Sequence, residues 1–105
     1  MSRAVLRLVP TTRTDDACLS AVEEQLCAEL GSEALRRASR VAAKEAVCAL
    51  LPAHAVPADV TIGRGPGGAP VVGARAGSPA AGGGPLPGVS LSHSAGWGAA
   101  LAWLP

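Results

Sequence analysis

The sequence predicts an α+β fold, in which two main helices pack on a small, mostly antiparallel sheet. Apolar and polar residues alternate in residues 3–9 and 89–94, which is typical of half-buried strands. Residues 39–51 are a run of strong helix formers, and Gly/Pro-rich turns separate the later strands. Because the chain has 105 residues, we expect one domain spanning residues 1–105.

The predicted core contains few large side chains. Phe and Tyr are absent, and Trp97 and Trp103 are the only aromatic residues. The core must therefore be built from Ala, Val and Leu, which bury less apolar area per residue. Since a core of this kind gains stability by assembly, we expect a homo-oligomer.

Charge and cysteine content argue against several classes of protein. The net charge is +1 and the basic residues lack interleaved aromatic residues, so we expect no nucleic-acid partner. Residues 1–7 contain no apolar run of signal-peptide or membrane-span length, so no membrane association is predicted. The three cysteines, Cys18, Cys27 and Cys48, lack metal-ligand spacing, which favours reduced thiols in the cytoplasm.

The first predicted strand has two distinct faces. One carries Ala4, Leu6 and Leu8, and the other carries Val5, Arg7 and Val9. Pro10 and the threonines after it are expected to end the strand.

The first predicted helix has an acidic start. Thr14 is expected to be its N-cap, with Asp15 and Asp16 at the positive end of the helix dipole. Gly31 favours termination of the helix. Helical spacing predicts a packing face formed by Leu19, Val22, Leu26 and Leu30.

The second predicted helix, capped by Ser32, carries a basic stripe. Arg37, Arg40 and Lys44 are spaced i, i+3, i+7 along one face. Several cations on one face suit a ligand with several phosphates. The alternative is a solvated face that pairs with the acidic first helix. Lys44 and its neighbour Glu45 are likewise either an exposed polar edge or a site for a metal-bound phosphate.

Two motifs carry a resemblance to a known family. The helix contains Ala-Ala-Lys-Glu-Ala at 42–46, and the late strand contains Val-Ser-Leu-Ser-His-Ser at 89–94. Between them, residues 60–63 and 68–72 are predicted to form a hairpin that includes a Gly-x-Pro sequence. Together, these residues resemble the 4'-phosphopantetheinyl transferase superfamily, in particular its short holo-acyl-carrier-protein-synthase branch. The resemblance covers residues 40–102.

This resemblance implies an activity and a set of site residues. Family members transfer phosphopantetheine from coenzyme A to a serine of an acyl or peptidyl carrier protein, in fatty-acid or polyketide biosynthesis. They tend to form trimers with coenzyme A between subunits. By resemblance, Glu45 would be the Mg²⁺ ligand, and the catalytic residues would be Glu45, Lys44 and His93. The resemblance also implies that coenzyme A would contact Lys44, Arg40, Ser92, His93 and Ser94. The alternative for His93 is a strand-end histidine bonded to a neighbouring backbone carbonyl.

The chain departs from the family pattern at three places. The family's first strand normally carries a Gly-x-Asp pattern whose aspartate is the other metal ligand, whereas residues 4–10 contain no acid. Arg7 falls at or near that position, where it would either pair with Glu45 in place of the metal or extend into solvent. Ala49 stands where the family often has a lysine, and the first helix is acidic where the family has a basic one.

These departures leave two classes of function open. One is an active transferase, in which Asp15 or Asp16 substitutes for the missing aspartate. The other is a catalytically degenerate relative that binds a carrier protein as an accessory subunit. A variant of the second uses His93 or Glu45 for acid–base chemistry on a carrier-bound acyl chain.

Residues 73–88 are predicted to be a Gly/Pro-rich surface loop without regular secondary structure. A phosphate-binding loop is disfavoured because the glycines are not followed by Gly-Lys-Ser/Thr. A Ser-His-Asp hydrolase using Asp59 is disfavoured because no nucleophile-elbow sequence is present.

Overall fold

The computed structural model describes residues 3–12, 18–29, 32–51, 55–82 and 85–104. Five strands and two α-helices follow one another along the chain. In order, they are β1 (Arg3–Pro10), α1 (Ala21–Glu29), α2 (Glu33–Cys48), β2 (Val60–Arg64), β3 (Pro70–Ala74), β4 (Gly88–Ser94) and β5 (Trp97–Leu104). No described helix is long and apolar enough to cross a lipid bilayer.

The strands form two antiparallel sheets. One has three strands in the order β1-β5-β4, with β5 in the centre, and the other is the β2-β3 hairpin. The predicted α+β architecture of two helices on small antiparallel sheets is thereby confirmed. The difference is that the hairpin makes a sheet of its own instead of extending the larger one.

Small residues on α2 allow this helix to lie very close to the three-stranded sheet. Its buried face includes Ala38, Ala42 and Ala46. On the sheet side, Gly98 of β5 is so near that a Cβ added there would overlap the backbone of Ala38 and Ser39. The core therefore gains its density from close backbone packing where large side chains are scarce.

The predicted packing face of α1 is wrong at Val22. The side chain of Val22 is 68% exposed, whereas Glu23 and Cys27, one turn apart, are buried. Compared with the predicted orientation, α1 is turned about its axis so that Glu23 faces the interior. There its carboxylate contacts Lys44 Nζ and the N–H of Ile62. Leu19 is buried as predicted, and Leu30 lies outside the described residues.

The helix starts also differ from the prediction. Helix α1 begins at Ala21 with a capping box, in which Ser20 N–H donates to Glu23 Oε1 (2.8 Å) and Glu23 N–H donates to Ser20 Oγ (3.2 Å). The predicted cap Thr14, together with Asp15, Asp16 and Gly31, lies outside the described residues. Ser32 does precede α2, but it is in the left-handed region (φ 47°) and its side chain makes no capping bond.

Part of the segment 73–88 has regular structure, so the prediction of a structureless loop is wrong there. Strand β3 extends to Ala74, and Pro79–Gly82 form a 3₁₀ turn. Arg75 anchors the segment, because its N–H donates to Asp59 O (2.7 Å) and its Nη2 pairs with Asp59 Oδ1 (2.8 Å). Ser78, Ala80 and Pro87 are buried. Residues 83–84 are not among those described.

Candidate functional site

A pocket of about 290 Å³ lies between α2, the β2-β3 hairpin and β4. Three arginines and a histidine line it, and none of its lining residues is acidic. We call it the arginine pocket; its walls are formed by Arg36, Ser39, Arg40, Ile62, Gly63, Arg64, Gly68, Pro70, Val89, Ser90, Leu91 and His93. A concave site with this charge is suited to an anionic ligand.

Arg40 is the buried cation of the arginine pocket. Its side chain is 6% exposed, and its Nε has no hydrogen-bond partner in the part of the chain that the structure describes. A buried guanidinium nitrogen without a partner is costly, and an anion in the pocket would offset that cost. Arg36, which lies one turn earlier on α2, lines the same wall.

Arg64 stands on the opposite wall, at the end of β2. A Cβ built on Gly68 would lie 3.1 Å from Arg64 Nη2, so the guanidinium lies over the hairpin turn. Gly68 has a φ of 83°, which a residue with a side chain rarely adopts. The turn therefore provides both the backbone bend and the space for Arg64.

The three residues predicted at the late strand are not all at the same site. His93 lines the arginine pocket. Ser92 lines a separate surface groove with Leu6 and Leu101, because successive residues of a strand point to opposite faces. Ser94 is exposed at the strand end and, two residues after Ser92, lies on the same face of the strand. Of the three, His93 is the residue that the structure places with Arg40.

Lys44 is buried in the interior and is not a lining residue of the arginine pocket. Its side chain is 1% exposed, and its Nζ lies 2.5 Å from Glu23 Oε1 and donates to Cys18 O (2.6 Å). Glu23 Oε2 accepts the N–H of Ile62 on β2 (2.7 Å). The Glu23–Lys44 pair thus joins α1, α2 and β2, and in this structure the ammonium is directed at Glu23.

Arg37 also pairs with the first helix. Its Nη1 lies 2.5 Å from Glu24 Oε2 and 3.8 Å from Glu33 Oε1. Two members of the predicted basic stripe, Arg37 and Lys44, therefore follow the alternative in which the stripe pairs with acidic α1. Arg40 alone of the three lines the arginine pocket.

Glu45 is half-buried and lies on a different side of α2 from Arg40. Five residues of α-helix separate the two, which rotates them by roughly 140° about the helix axis. The described residues contain no group of three His, Cys, Asp or Glu side chains that could hold a metal ion. A lone carboxylate such as that of Glu45 can hold Mg²⁺ only together with phosphate oxygens and water.

Arg7 does not form the predicted pair with Glu45. Its side chain is exposed, and its Nη1 donates to Leu6 O at 3.5 Å. The outcome matches the alternative in which Arg7 extends into solvent, because an exposed guanidinium stays hydrated and needs no carboxylate partner.

The three cysteines are free, and Cys27 is fully buried as an apolar packing group. Burial raises the pKa of the Cys18 thiol, an effect that Lys44 partly offsets. Burial also raises the pKa of the Cys27 thiol, against the opposing effect of Arg40 and Arg37. Both thiols are therefore kept protonated near neutral pH.

Sequence reasoning did not single out three residues that the structure makes important. Arg36 could have been found from its i, i+4 spacing to Arg40. Arg64 gives no signal in the sequence, because it reaches the pocket only through the fold of the hairpin. Glu23 is one of several acidic residues in its part of the sequence, and its partner Lys44 is on another helix, so nothing in the sequence distinguishes it from its neighbours.

Two solved structures share this fold over nearly the whole chain. One is Helicobacter pylori holo-acyl-carrier-protein synthase in complex with coenzyme A, with a TM-score of 0.73 and 19% identity, covering 95% of this chain and 97% of that chain. The chain has the fold of a holo-acyl-carrier-protein synthase. The other is a complex of Chronobacterium ammoniagenes ACPS with coenzyme A, with a TM-score of 0.74 and 18% identity, covering 100% of this chain and 97% of that chain.

The sequence itself matches no protein-family profile and no curated protein. At 18–19% identity the structural likeness shows the fold. It confirms the fold that the resemblance of the motifs at 42–46 and 89–94 implied.

Proposed function

We propose that the protein is a 4'-phosphopantetheinyl transferase-like protein that acts with coenzyme A on an acyl or peptidyl carrier protein in fatty-acid or polyketide biosynthesis. The observation that supports this most strongly is the arginine pocket, in which Arg40 and His93 come together on a fold shared with coenzyme A-bound synthases. The proposal takes residues 1–105 as one transferase-like domain, located in the cytoplasm.

Each residue has a role in this proposal. Arg40 and His93 contact the phosphates of coenzyme A, and fixed donors of this kind stabilise charge on a diphosphate. Glu45 would hold Mg²⁺, and it would help to take the proton of the attacking serine. Mg²⁺, when bound, supplies charge neutralisation at the diphosphate. Lys44 forms the interior ion pair with Glu23. The coenzyme A contacts predicted for Lys44, Ser92 and Ser94 stay predictions.

The positions of Arg40 and Glu45 support a site shared between two copies of the chain. Within one copy the two side chains leave α2 on different sides of the helix, roughly 140° apart. A second copy that contributes Glu45 to the arginine pocket of the first resolves this. We therefore propose a homo-oligomer, such as a trimer, with coenzyme A between copies.

The proposed transfer is tested by mass spectrometry of apo carrier proteins incubated with the protein, coenzyme A and Mg²⁺. We expect a phosphopantetheine adduct on the carrier. Arg40→Met should lower the affinity for coenzyme A by about 10-fold to 100-fold, as expected for the loss of a charge-assisted hydrogen bond. Arg3→Met, which removes an exposed arginine outside the pocket, should leave the affinity unchanged.

Mixing variants tests whether the site is shared. At coenzyme A concentrations below the parent's Kd, Arg40→Met and Glu45→Gln chains should each have much lower activity alone, and partial activity should return when they are mixed under conditions of subunit exchange. The absence of any recovery, with mixed oligomers present in native mass spectra, would show that each site is formed by one copy.

The exposed apolar surface of the larger sheet supports assembly. This outer sheet face consists of Leu6, Leu8, Trp97, Leu101 and Trp103, and Leu6 lies opposite Leu101 in the β1–β5 register. Leu6→Glu should convert the oligomer to monomer in sedimentation velocity, because a buried carboxylate at the interface would be unpaired. Val22→Glu is the matched control, since Val22 is also exposed but lies on α1. A parent protein that sediments as a monomer at all concentrations would refute this assembly.

A second candidate function is supported by the first strand. Strand β1 contains no acidic residue, so a two-carboxylate metal site would have to draw on residues outside it. In this alternative, the protein binds a carrier protein as an accessory subunit without transferring phosphopantetheine. Carrier binding in calorimetry without any adduct in mass spectra, across a range of Mg²⁺ concentrations, would favour the accessory role.

A further inference from the structure

We infer that Glu23 is a positioning residue of the arginine pocket, because its carboxylate fixes the β2 wall of that pocket against the α2 wall. Glu23 lies on α1 and is not one of the residues that line the pocket. It acts through the two residues that its carboxylate contacts, one on each wall. The inference rests on the proposed function only in taking coenzyme A as the ligand whose affinity reports the spacing of the walls.

The Glu23 carboxylate joins the two walls directly. Its Oε1 lies 2.5 Å from Lys44 Nζ on α2, and its Oε2 accepts the N–H of Ile62 on β2 (2.7 Å). Lys44 comes one turn after Arg40 on the helix. Ile62 lines the pocket and comes two residues before Arg64 on the strand. Each contact is therefore close in the chain to a guanidinium group of the pocket.

Burial makes these contacts strong. The side chains of Glu23 and Lys44 are 3% and 1% exposed, and Ile62 is 1% exposed. Water does not compete for the carboxylate in such surroundings, so charge-assisted hydrogen bonds to it are stronger than at the surface. The N–H of Ser20 also donates to Oε1 (2.8 Å), which holds the carboxylate from the side of α1. Glu23 is thus a fixed point shared by α1, α2 and β2.

The β2-β3 hairpin depends on attachments of this kind. Among the described strands, β2 pairs with β3 and neither pairs with the three-stranded sheet. A two-stranded hairpin is only marginally stable by itself, so its position is set by the elements that pack on it. Apolar packing is non-directional, whereas the bond from Ile62 N–H to Glu23 has a defined length and direction.

The spacing of the walls matters because the pocket is two-sided. Arg36 and Arg40 belong to α2, whereas Arg64 belongs to the hairpin. A ligand held from both sides loses contacts when one wall moves, and a displacement of about 1 Å in a site is enough to cost up to about 100-fold. We therefore expect Glu23 to affect binding without touching the ligand.

The first test is hydrogen exchange measured by mass spectrometry on the full chain. The bridge variant combines Glu23→Met with Lys44→Met, which removes both charges of the pair. Its matched control combines Glu24→Met with Arg37→Met, because that pair also joins α1 to α2 and has the same charge balance. In the bridge variant, residues 60–74 should exchange about 10-fold faster than in the parent, while residues 88–104 exchange as before. The control should match the parent in both segments.

A smaller change provides a second variant in case the bridge variant does not fold. Glu23→Asp keeps the charge beside Lys44 but shortens the side chain by one CH₂ group. The flexible Lys44 side chain can follow the carboxylate, whereas the backbone N–H of Ile62 cannot. Glu23→Asp should therefore also show faster exchange in residues 60–74.

The second test is calorimetric titration with coenzyme A in the presence of Mg²⁺, at a temperature at which each variant is folded. The bridge variant should bind about 10-fold more weakly than the parent, and the Glu24–Arg37 control should bind as the parent does. Glu23→Gln with Lys44→Met should recover part of the affinity, since the amide oxygen can still accept the N–H of Ile62. These two variants share Lys44→Met, so the difference between them reports position 23 alone.

The outcomes separate the inference from the proposed function. Faster exchange spread equally over residues 60–74 and 88–104 would show a general loss of stability and would overturn the inference. If the parent binds coenzyme A and the Met and Gln variants at position 23 bind it equally well, the inference fails while the proposed function stands. If the parent does not bind coenzyme A, the proposed function fails, and the exchange of residues 60–74 alone decides the role of Glu23.

Discussion

Replacement of Lys44 by methionine should lower the free energy of unfolding by about 3–5 kcal/mol, the usual cost of removing one partner from a buried ion pair. The Glu23 carboxylate would remain buried, without the ammonium that lies 2.5 Å from it. The N–H groups of Ser20 and Ile62 would still donate to it, but they do not neutralise its charge. The loss is measured by urea unfolding followed by circular dichroism.

Arg37→Met is the matched control for this change. It breaks the pair with Glu24, which also joins α2 to α1 but is partly exposed, so the expected cost is about 1 kcal/mol or less. The double variant Glu23→Gln with Lys44→Met should be more stable than Lys44→Met alone, because the buried charge is gone. Equal losses for Lys44→Met and Arg37→Met would refute the view that Lys44 and Glu23 form a buried, mutually dependent pair.

Substitution of Gly98 by alanine should destabilise the protein by about 3 kcal/mol or more, at the upper end of overpacking effects. The new Cβ would overlap the backbone of Ala38 and Ser39, which no side-chain rotation relieves. Strand β5 cannot move away, because it is bonded to β1 on one side and β4 on the other. Thermal unfolding should show a decrease in Tm of roughly 10 °C or more, given about 4–8 °C per kcal/mol at this size.

Gly63→Ala provides the control for the glycine substitution. A Cβ at Gly63 would have Val71 O as its nearest neighbour, at 4.0 Å, which is an ordinary contact. Alanine in a strand loses less backbone entropy than glycine, so stability should be unchanged or rise by up to about 1 kcal/mol. Similar Tm values for the two variants would contradict the close helix–strand packing. Since Gly98 lies against the residues just before Arg40, its substitution should also weaken ligand binding in the arginine pocket.

The positions of most elements could be predicted from local patterns. The alternation of apolar and polar residues predicted β1 and β4, and a run of helix-forming residues predicted α2. Gly and Pro residues predicted the turn of the hairpin. The pattern was misleading for α1, where an apolar residue, Val22, is exposed and an acidic one, Glu23, is buried. Hydrophobic periodicity cannot show that a carboxylate will be matched by an ammonium from another helix.

Part of the candidate site could likewise be predicted from the sequence, and part of it could not. The sequence by itself determined that Arg40 and His93 belong to a helix and a late strand of a synthase-like fold, because short motifs encode both elements. Only the tertiary structure decided that Lys44 turns to Glu23, that Arg64 joins the pocket, and that Arg7 stays in solvent. These outcomes depend on which charged side chains come together from elements far apart in the chain. A buried charge is stable only next to an opposite charge or a hydrogen-bond partner, whereas an exposed one needs neither.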